Sequence, residues 1–110
     1  MKVPNDFDFG QRDLEQNEEL EAVAWAENNG WLVRKIQYIG RASCPDRLFI
    51  GYGHILLVEL KRPTAVLKKG GGLSKGQKEE FERFAEHGVE VPVLYSAADV
   101  QVFLKGYMPA

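Results

Sequence analysis

The sequence predicts an α/β (α+β) fold, a mixed β-sheet flanked by helices in the order α-β-β-β-α-β-α, and three observations predict it. An apolar stretch with helical spacing ends at Asn28-Asn29-Gly30. Short β-branched and aromatic runs follow, two of them joined through Gly51-Tyr52-Gly53. Two serine-capped stretches of helical spacing then bracket one more short apolar run. At 110 residues, with a hydrophobic fraction of 45% and five prolines, the chain fits a single packed domain spanning 1–110.

Taken in order, residues 1–11 read as an irregular arm and 12–29 as a helix. Leu20, Val23, Ala24 and Ala26 recur at helical spacing in that stretch. Trp31 to Ile39 reads as a strand broken at Gly40, and Arg41-Ala42-Ser43-Cys44-Pro45 as a loop. Pro45 cannot donate to a sheet ladder, so the next strand starts at or after Asp46. Asp46–Ile50 and His54–Arg62 form a hairpin. Ile55 to Val58 is apolar at every position, the pattern of a central strand covered on both faces. Residues 63–73 form a basic loop that Gly70, Gly71 and Gly72 make mobile. Ser74 caps a helix reaching about His87, with Gly88 as its stop. Val91–Tyr95 is a short strand, and Ser96 caps a last helix carrying Val100, Phe103 and Leu104.

The composition narrows the chemistry. A single cysteine, Cys44, excludes an internal disulfide and a cysteine-based zinc cluster, and His54 and His87 lie far apart. No apolar run of membrane-spanning length exists, and the first ten residues lack a signal-peptide core. A soluble, cytoplasmic protein with no membrane partner is expected. The formal charge of −2 hides a segregation: residues 5–33 carry eight acids and one base, whereas 34–78 carry ten bases and two acids. That basic stretch is the footprint expected for phosphate contact, though a solvated face is its plain alternative.

The two acids in the basic stretch are Asp46 and Glu59. On a strand, residues two apart share a face, so Glu59 and Lys61 project together. The hairpin returns Asp46 to their end, where two carboxylates and an ammonium converge. Oxygen ligands without histidine or cysteine suit Mg²⁺, with Mn²⁺ able to substitute. Lysine can orient a water or stabilise developing negative charge. The plain alternative is a salt bridge at a strand end.

Pro45-Asp46, twelve residues, and Glu59-Leu60-Lys61 match the PD-(D/E)xK nuclease signature. The wider context resembles the VRR-NUC family of that superfamily. Gly30-Trp31-Leu32-Val33-Arg34-Lys35 resembles its first strand, and Gly40-Arg41 with Cys44-Pro45-Asp46-Arg47-Leu48 its GR…PDR element. Glu59-Leu60-Lys61-Arg62-Pro63 resembles its ExKxP strand, and Leu73-Ser74-Lys75-Gly76-Gln77 its LSxxQ turn. The order is kept from about residue 19 to 100. Cys44 replaces a more usual small apolar residue, and the loop after Pro63 is longer and more basic than usual.

The resemblance implies a restriction-endonuclease-like core and a metal-dependent DNA endonuclease. Asp46, Glu59, Lys61 and Gln77 would be catalytic, and Glu19, Asp46, Glu59 and the Leu60 backbone carbonyl would hold the metal. Glu19 stands eleven residues before Gly30, on a stripe with Ala22, Val23 and Ala26, and Glu18 is the next candidate. Gln77 also completes a capping box with Ser74, which by itself accounts for a glutamine there. Arg41, Arg47, Arg62, Lys68, Lys69 and Lys75 are the expected phosphate contacts.

Minimal stand-alone members of the family suggest a structure-selective enzyme on branched DNA, resembling a Holliday-junction resolvase. Such an enzyme works as a homodimer, here through the Trp25 region and the Tyr52 turn, and its compact size suits a phage or mobile element. The alternatives are a DNA-binding accessory module of recombination or repair that is catalytically weak or inactive, and a nuclease acting on RNA.

Overall fold

The computed structural model describes residues 6–110, with side chains from residue 17 onward. Helix α1 runs Asp6–Asn28, so the part of the expected arm that is described is helical, and residues 1–5 lie outside the described residues. Gly10 lies inside that helix. A glycine inside a helix costs only about 1 kcal/mol, which does not end one. Strands β1 (Leu32–Lys35), β2 (Arg47–Gly51) and β3 (His54–Leu60) follow. Two short 3₁₀ turns, Pro63–Leu67 and Lys69–Gly72, then lead to α2 (Lys75–Glu86), β4 (Val93–Leu94) and α3 (Ala97–Lys105). Among the described residues no helix is long and apolar enough to cross a membrane.

The sheet has the order β1-β2-β3-β4, antiparallel at the first two pairings and parallel at the third. The β2–β3 hairpin turns through Tyr52 (φ 51°) and Gly53 (φ 82°), the two left-handed residues of a type I′ turn. Tyr52 tolerates that conformation because its hydroxyl donates to the Asn29 carbonyl (2.5 Å) and its ring meets Trp31 edge-on. Gly51 is required for space: a Cβ there would lie 2.7 Å from the Trp31 ring.

The core gathers Ala22 and Ala26 of α1, Val33, Phe49 and Val58 of the sheet, and Ala97, Val100 and Leu104 of α3. The alanines let α1 approach closely. Leu20, expected on the apolar stripe, is exposed, and the buried face runs through Ala22 and Ala26 beside Glu18 and Glu19.

Four expectations need correction. The first strand ends at Lys35, not Ile39; its last ladder link is the Ile36 N–H to the Asp46 carbonyl, and Ile39 is 99% exposed. Strand β3 is central in the sheet but covered on both faces only near Val58 and Glu59, since Ile55 is exposed. The fourth strand is only Val93–Leu94. Finally, the 63–73 segment is pinned: Ala65 is buried, and the Tyr95 hydroxyl donates to the Gly71 carbonyl at 2.8 Å. Its glycines serve geometry, with φ of 67°, 65° and 86°, and a Cβ on Gly71 would meet the Tyr95 oxygen at 2.4 Å.

Candidate active site

The β2–β3 ladder brings Asp46 to Glu59 and Lys61 as the sequence predicts. The Asp46 N–H donates to the Val58 carbonyl at 3.1 Å, so Asp46 sits at the open end of the hairpin. Its Oδ2 accepts from the Leu60 N–H at 3.2 Å, which turns the carboxylate toward β3. Strand β3 in turn is fixed by β4, because the Glu59 N–H donates to the Pro92 carbonyl and the Lys61 N–H to that of Leu94.

Glu59 is 4% exposed. Its Oε2 accepts from the Gln77 amide at 3.0 Å and lies 3.3 Å from Lys61 Nζ, while its Oε1 is buried with no hydrogen-bond partner. Burial, and then the Asp46 charge, push the Glu59 carboxyl above its usual range; Lys61 and Gln77 oppose them. Lys61 Nζ also donates to Gln77 Oε1 at 3.2 Å, an oxygen that accepts from the Ser74 N–H at 2.9 Å. The Gln77 N–H donates to Ser74 Oγ at 3.1 Å, completing the capping box. Thus the two readings of Gln77 hold together: it starts α2 and clamps the acid and the lysine.

A cavity of about 350 Å³ opens beside these groups, lined by Glu18, Glu19, Asp46, Leu60, Lys61 and Arg62 among others. Its acidic side comes from α1. Glu18 is tied down, its Oε1 accepting the Ala97 N–H at the start of α3 (2.7 Å), whereas Glu19 pairs with Arg47 at 2.5 Å. Glu19 thus reaches the cavity wall with its charge answered by an arginine. A second, more open cavity of about 590 Å³ lies across Lys61, lined by Ser43, Lys61, Lys68, Lys69, Ser74 and Gln77. Lys61 aside, its cations, Lys68 and Lys69, come from the pinned segment.

Among the expected phosphate contacts, Arg47 is placed differently. Its side chain is 14% exposed and turned inward to Glu19, which withdraws it from a surface phosphate. Arg41 is largely exposed while bonded to Glu80, Lys75 is exposed beside Glu79, and Lys68 and Lys69 are exposed.

The donor set suits a hard divalent cation. Asp46 and Glu59 offer carboxylate oxygens, Glu59 Oε1 is a buried acceptor without a donor, and Glu19 lines the same cavity as Asp46. Among the described residues no three such side chains form a closed cluster, and Arg47 and Lys61 pair with Glu19 and Glu59.

No family profile matches the chain, and no curated protein matches it. A solved structure of a VRR-NUC domain does: the two are 33% identical with a TM-score of 0.69, over 86% of this chain and 97% of that one. The chain belongs to the VRR-NUC family. Its mixed sheet flanked by three helices is the restriction-endonuclease-like arrangement the sequence implied. The family is a nuclease-domain family, which gives the acid–acid–lysine end of this VRR-NUC domain its context.

Sequence reasoning missed one buried acid of this VRR-NUC domain. Glu80 on α2 is 7% exposed and takes hydrogen bonds from Tyr38, from Arg41 (3.1 Å) and from Arg83 (3.0 Å). A signal was present: Glu80 stands one residue before the buried Phe81 and three after Gln77, on the stripe facing the protein. An acid on an apolar stripe was the argument for Glu19, and it applied equally here.

Proposed function

We propose that the chain is a divalent-metal-dependent endonuclease that hydrolyses phosphodiester bonds in DNA, acts on branched DNA, and works as a homodimer. The observation that carries this reading is Glu59, a buried carboxylate with one oxygen unsatisfied, beside Asp46 and within reach of Lys61. A natural fold retains such an acid where function requires it.

Asp46, Glu59 and the Leu60 carbonyl are the groups that would hold Mg²⁺ or Mn²⁺, joined by Glu19 if it leaves Arg47. When bound, such an ion supplies a Lewis acid that polarises a phosphate oxygen and lowers the pKa of water. Lys61 contributes its ammonium, which orients a water or stabilises the negative charge that builds on the phosphorane-like phosphate. Gln77 keeps that ammonium aimed, since its oxygen accepts from Lys61 while its amide donates to Glu59. Lys68 and Lys69 on one cavity, with Arg41, Arg62 and Lys75, supply positive charge for the flanking backbone. The small domain offers one cleavage centre, and two nicks on opposed strands of a junction call for a two-fold pair. A cytoplasmic setting accords with this chemistry.

The test compares a four-way junction, linear duplex and single-stranded RNA, each with Mg²⁺ or EDTA, using the wild type and Asp46→Asn. Junction cleavage that needs both Mg²⁺ and Asp46 supports the proposal. Binding without cleavage in any metal would leave an accessory module, and preferential RNA cleavage would change the substrate. Sedimentation at micromolar concentration reads the dimer.

A further inference from the structure

Glu80 belongs to none of the groups above, yet it is the most fully bonded acid of the described molecule. Its donors come from two places. Arg83 lies on its own helix, whereas Tyr38 and Arg41 come from the segment that joins β1 to Asp46. That segment needs holding: Gly40 (φ 80°) and Ser43 (φ 73°) are left-handed, and Ile39 is fully in solvent. Its two ends are set by the Ile36 N–H to Asp46 carbonyl link, so movement between them is felt directly at Asp46.

We propose that Glu80 is a positioning residue that fixes the 36–45 segment, and through it Asp46, against the helix whose Gln77 clamps Glu59 and Lys61. Glu80 and Gln77 stand three residues apart and face the protein together. One grips the segment that delivers Asp46; the other grips the two functional groups of β3. The three parts of the site are therefore referenced to one rigid turn of α2. A third contact supports this seating: a Cβ on Gly76 would lie 2.8 Å from Ser43 Oγ, so the start of α2 touches the segment with no room to spare. Arg41 is held in the same grip, its guanidinium 5.7 Å from the centre of the Tyr38 ring, and yet remains 59% exposed. It is an ordered cation with N–H donors left over for a phosphate.

The proposal rests on the nuclease reading for its catalytic consequence but not for its structural one, and the experiment separates them. Glu80→Ala, Glu80→Gln and Tyr38→Phe are compared with wild type in three measurements on folded protein. These are the rate of trypsin cleavage after Arg41, the Mn²⁺ affinity by calorimetry, and kcat and KM on a DNA junction. In Glu80→Ala, trypsin cleavage accelerates, and Mn²⁺ affinity and kcat each fall by about tenfold or more, as for other outer partners of a metal site. KM rises as Arg41 loses its order, and Glu80→Gln recovers part of each loss. If Glu80→Ala does not fold, Glu80→Gln and Tyr38→Phe give the same comparison at smaller amplitude. Variants that melt earlier yet keep wild-type Mn²⁺ affinity, kcat and KM would overturn the proposal, as would unchanged protection at Arg41. A wild type that cuts no nucleic acid, with the proteolysis and Mn²⁺ effects intact, would overturn the nuclease reading and leave the positioning role.

Discussion

Glu59 and Glu80 are both buried acids, 4% and 7% exposed, and both touch α2 or belong to it. Their surroundings differ in sign. Glu80 receives a hydrogen bond from the Tyr38 hydroxyl and ion pairs from Arg83 and Arg41, which hold its carboxyl below the usual range against the cost of burial. Tyr38, half-buried beside it, is pushed up to about 12 by desolvation and then by its hydrogen bond to Glu80. Glu59 has one lysine and one amide on Oε2 and nothing on Oε1, so burial, and then the like charge of Asp46, raise its carboxyl. A buried charge with a full set of donors serves the fold. One that lacks them is retained for something absent from the folded chain alone. The same fold thus contains a satisfied acid and an unsatisfied one, and the second is the one on which the proposed reaction centre rests.

The largest expected effect comes from removing the unsatisfied charge. Glu59→Gln, or Asp46→Asn, should lower cleavage by about a thousandfold, on the order of what removing a key electrostatic group costs. Glu59→Gln should also stabilise the metal-free protein by about 1 kcal/mol at neutral pH, and so raise its melting temperature, since it removes a buried carboxylate whose Oε1 the fold leaves without a donor. Calorimetric Mn²⁺ titration and a thermal melt read the two halves. A variant that loses both activity and stability would make Glu59 an ordinary partner of Lys61.

Next in size is Lys61→Ala, expected to lose about a hundredfold in kcat while Mn²⁺ affinity stays within a few-fold of wild type. An ammonium acts on water or phosphate rather than on the cation. Its loss should also raise the Glu59 carboxyl further, because Lys61 is the largest influence lowering it. Near-wild-type turnover would reduce Lys61 to a strand-end charge.

The two acids should also give opposite pH behaviour. Glu80 has a depressed folded pKa, so its stabilisation is present above the unfolded carboxylate value of about 4.3 and is lost as pH falls through the depressed value. Glu59 has a raised folded pKa, so its protonated form favours the fold below about 4.3, and that advantage is lost as pH rises through the raised value. The melting temperature of Glu80→Gln should therefore lie below wild type at neutral pH and converge with it in acid. That of Glu59→Gln should lie above wild type at neutral pH and converge likewise. Differences that stay constant with pH would show that neither charge matters to the fold.

The legible and illegible parts of the sequence follow the same physics. The hairpin was legible because Gly51-Tyr52-Gly53 sits between two apolar runs, and once it is placed, Asp46 must return to Glu59 and Lys61. The helix from Ser74 was legible from its cap, and Gln77 as a site residue from the resemblance of Leu73–Gln77 to the LSxxQ turn. The grip of Glu80 on Tyr38 and Arg41 was not seen, because it joins residues 42 and 39 positions apart with no shared strand or motif to announce it. Arg47 is an expected phosphate contact by sequence, but a strand's end does not reveal which way a long side chain turns; only the presence of Glu19 on the neighbouring helix decides it. The glycines of 63–73 alone suggest a mobile loop. Glycine permits left-handed backbone, and whether that freedom is used for motion or for a tight turn depends on a partner such as Tyr95, 24 residues from Gly71.

The smallest expected effect tests the neutral counterpart of the two acids. The Gly71 carbonyl is an uncharged acceptor answered by the Tyr95 hydroxyl, and Tyr95→Phe removes that donor while keeping the ring. A neutral hydrogen bond of this kind contributes about 1 kcal/mol, and Gly71, being partly exposed, can recruit water in its place. The melting temperature should fall by about 5 °C or less. Because Lys68 and Lys69 precede Gly70, loosening this turn should also weaken DNA binding a few-fold, with kcat unchanged, since Asp46, Glu59 and Lys61 keep their own partners. The dependence of binding on salt should flatten at the same time, as fewer phosphates are neutralised by fixed lysines. A fall in kcat comparable to that of Lys61→Ala would show instead that the pinned segment and the unsatisfied acid are one mechanical unit, and the contrast between structural and functional partners would then extend beyond Glu59 and Glu80.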